Sequence, residues 1–309
     1  MRTLLARRAS ERTSRTRRLG TVAVAAAIVA VGLTGCSAAG SGDCVQPGAA
    51  SELIPSSGTA TASSWKFPKP LHADSLQKST LTSGKGAEIV DGQPVILDVG
   101  IFNGLTGKAV VTAAQGGMIS ASTSGSQLPG LQKALLCSTV GSRIAVTGTV
   151  TQVLGKEAQL NIPASSTVVA VATVKKAFLA RADGTPRPGQ PGMPTVVLAP
   201  NGQPGIKIPS HDAPKTLSTA ILKQGSGETV KKGDYTVVNY TAVAWNSPDT
   251  VASSSWQNGS ADIWPATDGS VPTTVTNKLI GEKVGTQLIV VTPGSNATAY
   301  VIDILGIAK

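Results

Sequence analysis

Leu131-Gln132-Lys133-Ala134-Leu135-Leu136-Cys137-Ser138-Thr139-Val140-Gly141-Ser142-Arg143 and Val275-Thr276-Asn277-Lys278-Leu279-Ile280-Gly281-Glu282-Lys283-Val284-Gly285-Thr286-Gln287 align without a gap. Each reads as a short amphipathic helix with an apolar i, i+4 pair. A loop then leads to a Val-Gly turn and into the next strand, Ile144 to Thr147 or Leu288 to Thr292. Upstream, Gly84-Lys85-Gly86 then Gly92 is matched by Gly225-Ser226-Gly227 then Gly233. An alternating stretch follows each, Val95 to Val99 and Tyr235 to Tyr240, the period of a strand with one buried face. Downstream, each segment closes on a β-rich run, Thr167 to Val174 and Ala299 to Leu305. Three landmarks in one order make two diverged copies of a single unit. Strands, one short helix and strands again predict an α+β fold, an antiparallel sheet covering a helix.

The flanks of the copies set the domain plan. Ser37 to Pro70 is rich in Ser, Ala, Gly and Thr with little periodicity, so residues 36–70 are expected to be a flexible tether. Between Asp183 and Pro214 fall eight of the 19 prolines, and residues 181–214 are expected to be an extended Pro/Gly-rich linker. The two units then occupy residues 71–180 and 215–309.

The chain carries 27 Lys and Arg against 17 Asp and Glu, a formal charge of +10. Seven of the arginines lie between Arg2 and Arg18. Without that stretch the chain is nearly neutral, which argues against nucleic-acid binding. The cationic stretch, the apolar run Thr21 to Leu33 and the small residues after it follow the order of a secretory signal over residues 1–35. The run is too short to span a bilayer of about 30 Å as a helix. Leu33-Thr34-Gly35-Cys36 resembles a bacterial lipobox, which implies lipidation of Cys36 and a lipid-anchored protein outside the cytoplasm; an ordinary signal peptide with an incidental Cys is the alternative. Cys44 and Cys137 then remain, either as a disulfide or as two unrelated thiols.

Several chemistries fail on inventory. His72 and His211 stand apart from each other and from any Cys, so no His-based metal site or triad is expected, and no cofactor. Phe102 occupies the upstream glycine position of a phosphate loop around Gly107-Lys108, and Ala109 follows where Ser or Thr is needed. Ser253-Ser254-Ser255 lacks the glycines of a nucleophile elbow.

The second copy resembles the FKBP-type peptidyl-prolyl isomerases over nearly its whole length. The resemblance runs through Gly225 to Asp234, Val237-Val238-Asn239-Tyr240-Thr241, Ser254-Ser255-Trp256, Leu279-Ile280-Gly281-Glu282-Lys283-Val284-Gly285 and Tyr300 to Ile307. The first copy resembles the family more faintly, through Gly84 to Gly92, Leu128 to Leu131, Val140 to Arg143 and Thr167 to Val174. The resemblance implies two FKBP-like domains, each a curved antiparallel sheet wrapped around one short helix. It implies peptidyl-prolyl isomerisation of proline-containing unfolded or exported polypeptides. That reaction needs no metal or nucleophile, only a dry aromatic pocket that grips the prolyl ring and favours the twisted amide over a barrier of roughly 18–20 kcal/mol.

The family's pocket carries over in part, onto Tyr240, Trp264, Val271 and Tyr300. Ala252-Ser253 stand where the family has Phe-Asp, and Val275 where it has the floor Trp. Between Pro293 and Ala299 only five residues remain, too few for the usual flap. A one-residue shift of this alignment would put Ile263 in the wall position of Trp264. In the first copy Val99 and Leu131 take the Tyr and Trp positions, so no pocket chemistry is expected there. Tyr240, Trp264 and Tyr300 read either as substrate contacts or as plain core aromatics. The expected function is a weakened isomerase, with a non-catalytic binding lipoprotein as the competing reading.

Overall fold

The computed structural model describes residues 44–308 apart from 126–127, 157, 159 and 268–271, and the backbone alone at 112–113. The expected leader and Cys36 lie outside the described residues. In chain order the elements are α1 (Ala49–Glu52), β1 (Gln77–Thr82), β2 (Pro94–Asn103), β3 (Ala109–Ser120), α2 (Pro129–Leu135), β4 (Arg143–Thr149), α3 (Val150–Leu154) and β5 (Thr167–Ala177). There follow β6 (Thr185–Pro186), β7 (Thr195–Leu198), β8 (Pro204–Lys207), β9 (Ser218–Gln224), β10 (Tyr235–Ala244), β11 (Val251–Ser254), α4 (Ser255–Asn258), β12 (Asp262–Pro265), α5 (Thr273–Thr276), β13 (Gln287–Val291) and β14 (Thr298–Ala308). A 3-10 turn, Asn277–Leu279, continues α5. No described helix is long and apolar enough to cross a membrane.

Two antiparallel sheets carry the molecule, and they repeat each other. The first runs β1-β4-β5-β2-β3; the second runs β9-β13-β14-β10, with β11 and β12 both paired to β10 and the short β6 added beside β9. The landmark glycines show why. Gly84 and Gly225 lie so close to the Val-Gly turns that an added Cβ would sit 2.2 Å from the Val140 carbonyl oxygen and 2.4 Å from that of Val284. Neither site has room for any side chain. Gly86 and Gly227 then donate to those same two carbonyls, each at 3.0 Å. Gly141 and Gly285 turn the chain at φ of 89° and 90°, a conformation glycine reaches without strain. Each next gives its N–H to the last strand of its sheet, at Val174 or Ile304.

The helix pairs read from the sequence point inward. Leu131 and Leu135 are fully buried against Leu97, Ile144 and Ala172, while Val275 and Leu279 are fully buried against Leu288 and Ile302. Burying such a side chain contributes about 1.5–3 kcal/mol.

Three expectations are corrected here. The strands do not have one buried face but two, since Ile289, Val291, Ala299 and Val301 form a second cluster behind the inner one, as do Phe102, Ala145, Val169 and Val171 in the first sheet. What covers the first outer face is the expected tether, which from Cys44 onward is folded. Ile54, Trp65, Phe67 and Leu71 pack on that face, with Trp65 tilted over Phe102 at 5.6 Å between ring centroids. The Trp65 backbone N–H donates to the Gly107 carbonyl, and the Arg143 guanidinium donates to the Ser56 and Gly58 carbonyls. What covers the second outer face is the expected linker, whose β7–β8 hairpin lays Val196, Ile206 and Ile208 on Ile289 and Val301. Proline density excluded helix there but not short strands at an edge. We call these two covers straps.

Cys44 and Cys137 are joined as a disulfide with a Cα–Cα distance of 5.9 Å, tying the first strap to the end of α2. In the second half the strap is held by Asp303, which is 1% exposed. Its carboxylate accepts the Ala182 N–H at 2.8 Å and the Gln287 amide at 2.7 Å, and burial pushes its pKa up.

Candidate functional site

The inner face of the second sheet gathers the rings. Tyr240 on β10 and Trp264 on β12 stand 4.7 Å apart between centroids, tilted by 51°, over the Val275 side chain of α5. Such a pair contributes roughly 0.5–1.5 kcal/mol beyond its buried area. Tyr300 on β14 lies across the strand pair, opposite Ala242 one pleat from Tyr240, half-buried against the same cluster. Burial first, and then the neighbouring Tyr240, raises its phenol pKa. Trp264 is 4% exposed and Ile263 is 42% exposed, so Trp264 faces the core and Ile263 does not. Val271 lies outside the described residues.

Ser253 is a site residue that the sequence did not single out for its side chain. The Tyr240 hydroxyl lies 2.7 Å from the Ser253 Oγ, so the serine holds the tyrosine's hydroxyl. The signal was position alone, since a serine in a serine run carries no pattern of its own. Behind this pair, the backbone N–H of Tyr240 donates to Ser255 Oγ at 2.9 Å, which fixes the start of α4. Burial raises the Asp262 carboxyl pKa, opposed by a hydrogen bond from the Trp264 side chain. The connection after β13 is only residues 292–297, closed by the Thr298 N–H, which donates to Thr292 Oγ1.

The first half differs at every equivalent point. Strand pairing puts Val99 where Tyr240 stands, Ile119 where Trp264 stands and Ala170 where Tyr300 stands. Pocket chemistry was not expected here, and what opens between sheet and helix is an aliphatic cavity of about 280 Å³. Val99, Ile101 and Val111 line it from the sheet and Leu128 from the start of α2. Leu154 and Leu160 close it from the long connection after β4, residues 150–166. That connection begins with a capping box, in which Thr149 Oγ1 accepts the Gln152 N–H and the Gln152 amide oxygen accepts the Thr149 N–H. Val150 and Val153 anchor it in the core. A flap is therefore present where the rings are missing.

No group of His, Cys, Asp and Glu able to hold a metal ion occurs among the described residues. Trp245 packs on the outer cluster beside His211, and Trp256 stands on α4. Both lie off the ring cluster.

No protein-family model matches the chain, and no curated protein matches it. Among solved structures, the three FKBP domains of wheat FKBP73 are similar with a TM-score of 0.32 and 15% identity, over 76% of this chain and 95% of that one. FkpA from Escherichia coli is similar with a TM-score of 0.27 and 19% identity, over 38% and 52%. A peptidyl-prolyl cis-trans isomerase from Pseudomonas syringae pv. tomato has a TM-score of 0.29 and 17% identity, over 33% and 74%.

Proposed function

We propose that the chain is an FKBP-type peptidyl-prolyl isomerase of reduced activity, acting on proline-containing unfolded or exported polypeptides. The two halves are then tandem FKBP-like domains, and a lipid on Cys36 holds them at the outer face of the cell membrane. The observation that carries the reading is the cluster of Tyr240, Trp264 and Tyr300 on one sheet face, over the helix. A prolyl ring seated against such rings meets apolar surface and little water. The planar amide is the more polar, conjugated form, so a dry site disfavours it relative to the twisted one and lowers the barrier. No bond is made or broken.

Reduced activity follows from the same geometry. Tyr240 and Trp264 lie against each other and both are buried, so the site must part its rings to admit proline. A second reading, binding without turnover, is favoured by the first half, whose cavity is wholly aliphatic and has no ring to grip proline.

A protease-free prolyl isomerisation assay on the full chain tests the choice. Starting the chain at residue 215 would strip the second strap from its sheet. Acceleration abolished by Tyr240→Ala is the expected result. A wild-type chain that folds cooperatively and accelerates nothing overturns the isomerase reading and leaves the binding one.

A further inference from the structure

Two features of the first half meet at β3. The strand is held at both ends. At its start the Ala109 N–H donates to the Ser63 carbonyl of the strap at 2.9 Å. Near its finish Met118 closes against the apolar seam between the halves, where Phe178 packs with Val237 and Leu305 of the second half. Between those points β3 is an outer strand, paired with β2 on one side and with no strand among the described residues on the other. A sheet edge presents backbone N–H and C=O groups that another strand can take, and proteins blunt such edges with charges or proline. From Ala109 to Ser120 there is no charged residue and no proline. The second half breaks the equivalent edge in two, since α4 stands between β11 and β12.

The second feature is the aliphatic cavity of about 280 Å³, which opens beside this edge, with Val111 and Ala114 of β3 both lining it. Three residues apart on a regular strand, these two would face opposite sides. Val99 is paired with Ala114 and Ile101 with Val111, so β3 carries one extra residue here, and that bulge turns both side chains to the cavity. Val111 is 39% exposed, so the cavity is reached from the edge strand. A strand added there turns every second side chain toward the helix side of the sheet, the side on which the cavity lies. Because a bulge also bends an edge, such a strand follows it for only a few residues.

The walls specify the guest. All eight lining residues are aliphatic, and water needs several polar partners that such side chains do not offer. An apolar cavity of roughly 150 Å³ holds benzene, so this one has room for any aliphatic side chain. The cavity by itself would take any small alkyl group, and the edge by itself any extended chain. Together they ask for a backbone and an aliphatic side chain on one molecule. We infer that β3 takes an extended client segment along its free edge and that the cavity takes one aliphatic side chain of that segment, of the size of Leu, Ile or Met. Strand addition of this kind draws affinity from main-chain hydrogen bonds and specificity from the side-chain pocket. The inference rests on the reading that the clients are polypeptides, and it requires neither proline nor turnover.

Fluorescence anisotropy on the full chain tests it, with labelled, proline-free peptides of Ser, Thr and Gln that differ only at a central position. That side chain is lengthened from Ala through aminobutyrate and norvaline to norleucine, a methylene at a time. Affinity is expected to rise about fourfold per step. Ala114→Phe plugs the cavity from an exposed position and is expected to flatten the rise. N-methylation of the backbone on either side of the central residue removes the N–H groups that a strand needs, and is expected to weaken every peptide roughly tenfold. A flat series on the wild type overturns the inference, as does a rise that Ala114→Phe leaves intact or an N-methylated peptide that binds as well as its parent. Hexanol binding as tightly as the norleucine peptide overturns it too, since the cavity would then take a free alkyl chain without the edge. If Ala114→Phe does not fold, the arms on the wild type decide. A chain that fails to isomerise yet shows the rise keeps this site and overturns the isomerase alone. A chain that isomerises with a flat series does the reverse.

Discussion

In the first half the space between sheet and helix is open, aliphatic and bordered by Leu154 and Leu160, whereas in the second half the same space is filled by Tyr240 and Trp264. Replacing large rings by Val99 and Ile119 did not collapse the first site. Val150 and Val153 anchor the flap in the core independently of the rings, so the roof stays up and the volume stays empty. In the second site the two aromatic faces lie against each other and fill the space. The lining thus decides whether the space stays open, since aliphatic side chains leave a cavity and two rings fill it. The straps obey another logic. Both outer faces are covered, so the full repeat is a strap followed by a sheet, and the first strap alone has a covalent tie among the described residues.

The largest test of this contrast is removal of a ring. Trp264→Ala empties a site that is 4% exposed and leaves Tyr240 without its partner. It is expected to cost about 3–5 kcal/mol of stability, read by urea unfolding followed by circular dichroism. Ile119→Ala at the equivalent point of the first half, where the smaller side chain is only half-buried, is expected to cost clearly less. Equal losses would mean that the two sites are packed alike, and the contrast would fail.

A smaller effect is expected from the covalent tie. The disulfide closes a loop with a sequence separation of 93, and replacing both Cys44 and Cys137 by Ser should lower stability by about 2–4 kcal/mol. Hydrogen exchange locates the loss. Amides of the first strap that bond the sheet, Trp65 to Gly107 and Leu71 to Gly104, should lose protection, while those of the β7–β8 hairpin keep theirs. Uniform loss over both straps would show that the halves unfold as one body and share their stability through the Phe178 seam.

The inner architecture was legible in the sequence because its signals are local. A glycine that meets a backbone, a Val-Gly turn and an apolar pair at i, i+4 each state a geometric need within a few residues. The straps were not legible, for the opposite reason. Ser37 to Pro70 and Asp183 to Pro214 have the composition of linkers, and what orders the described part of the first, from Cys44 onward, and the second is a surface supplied by residues far along the chain. A signal did exist on the other side of the contact. Leu288-Ile289-Val290-Val291 and Val168-Val169-Ala170-Val171-Ala172 are unbroken apolar runs, and a strand apolar at every position needs a cover on both faces. The candidate site was legible in its rings and illegible in its depth. Residue identity told where Tyr240 and Trp264 point, but not that they close on each other, nor that an aliphatic copy would keep a cavity.

The smallest effect concerns the hydroxyl pair at the centre of the ring cluster. Tyr240 Oη and Ser253 Oγ are 2.7 Å apart, and the equivalent Val99 in the first half has no hydroxyl to pair. Ser253→Ala and Tyr240→Phe should each cost about 0.5–1.5 kcal/mol, the net worth of one partly buried hydrogen bond. If that bond is the whole of their effect, the double variant costs no more than either single one, and the coupling energy equals the single loss. Additive losses would mean that Ser253 acts on β11 by itself and leaves the ring free. The ring would then be held by packing against Trp264 alone, and the second half's site would be no more polar in its construction than the first.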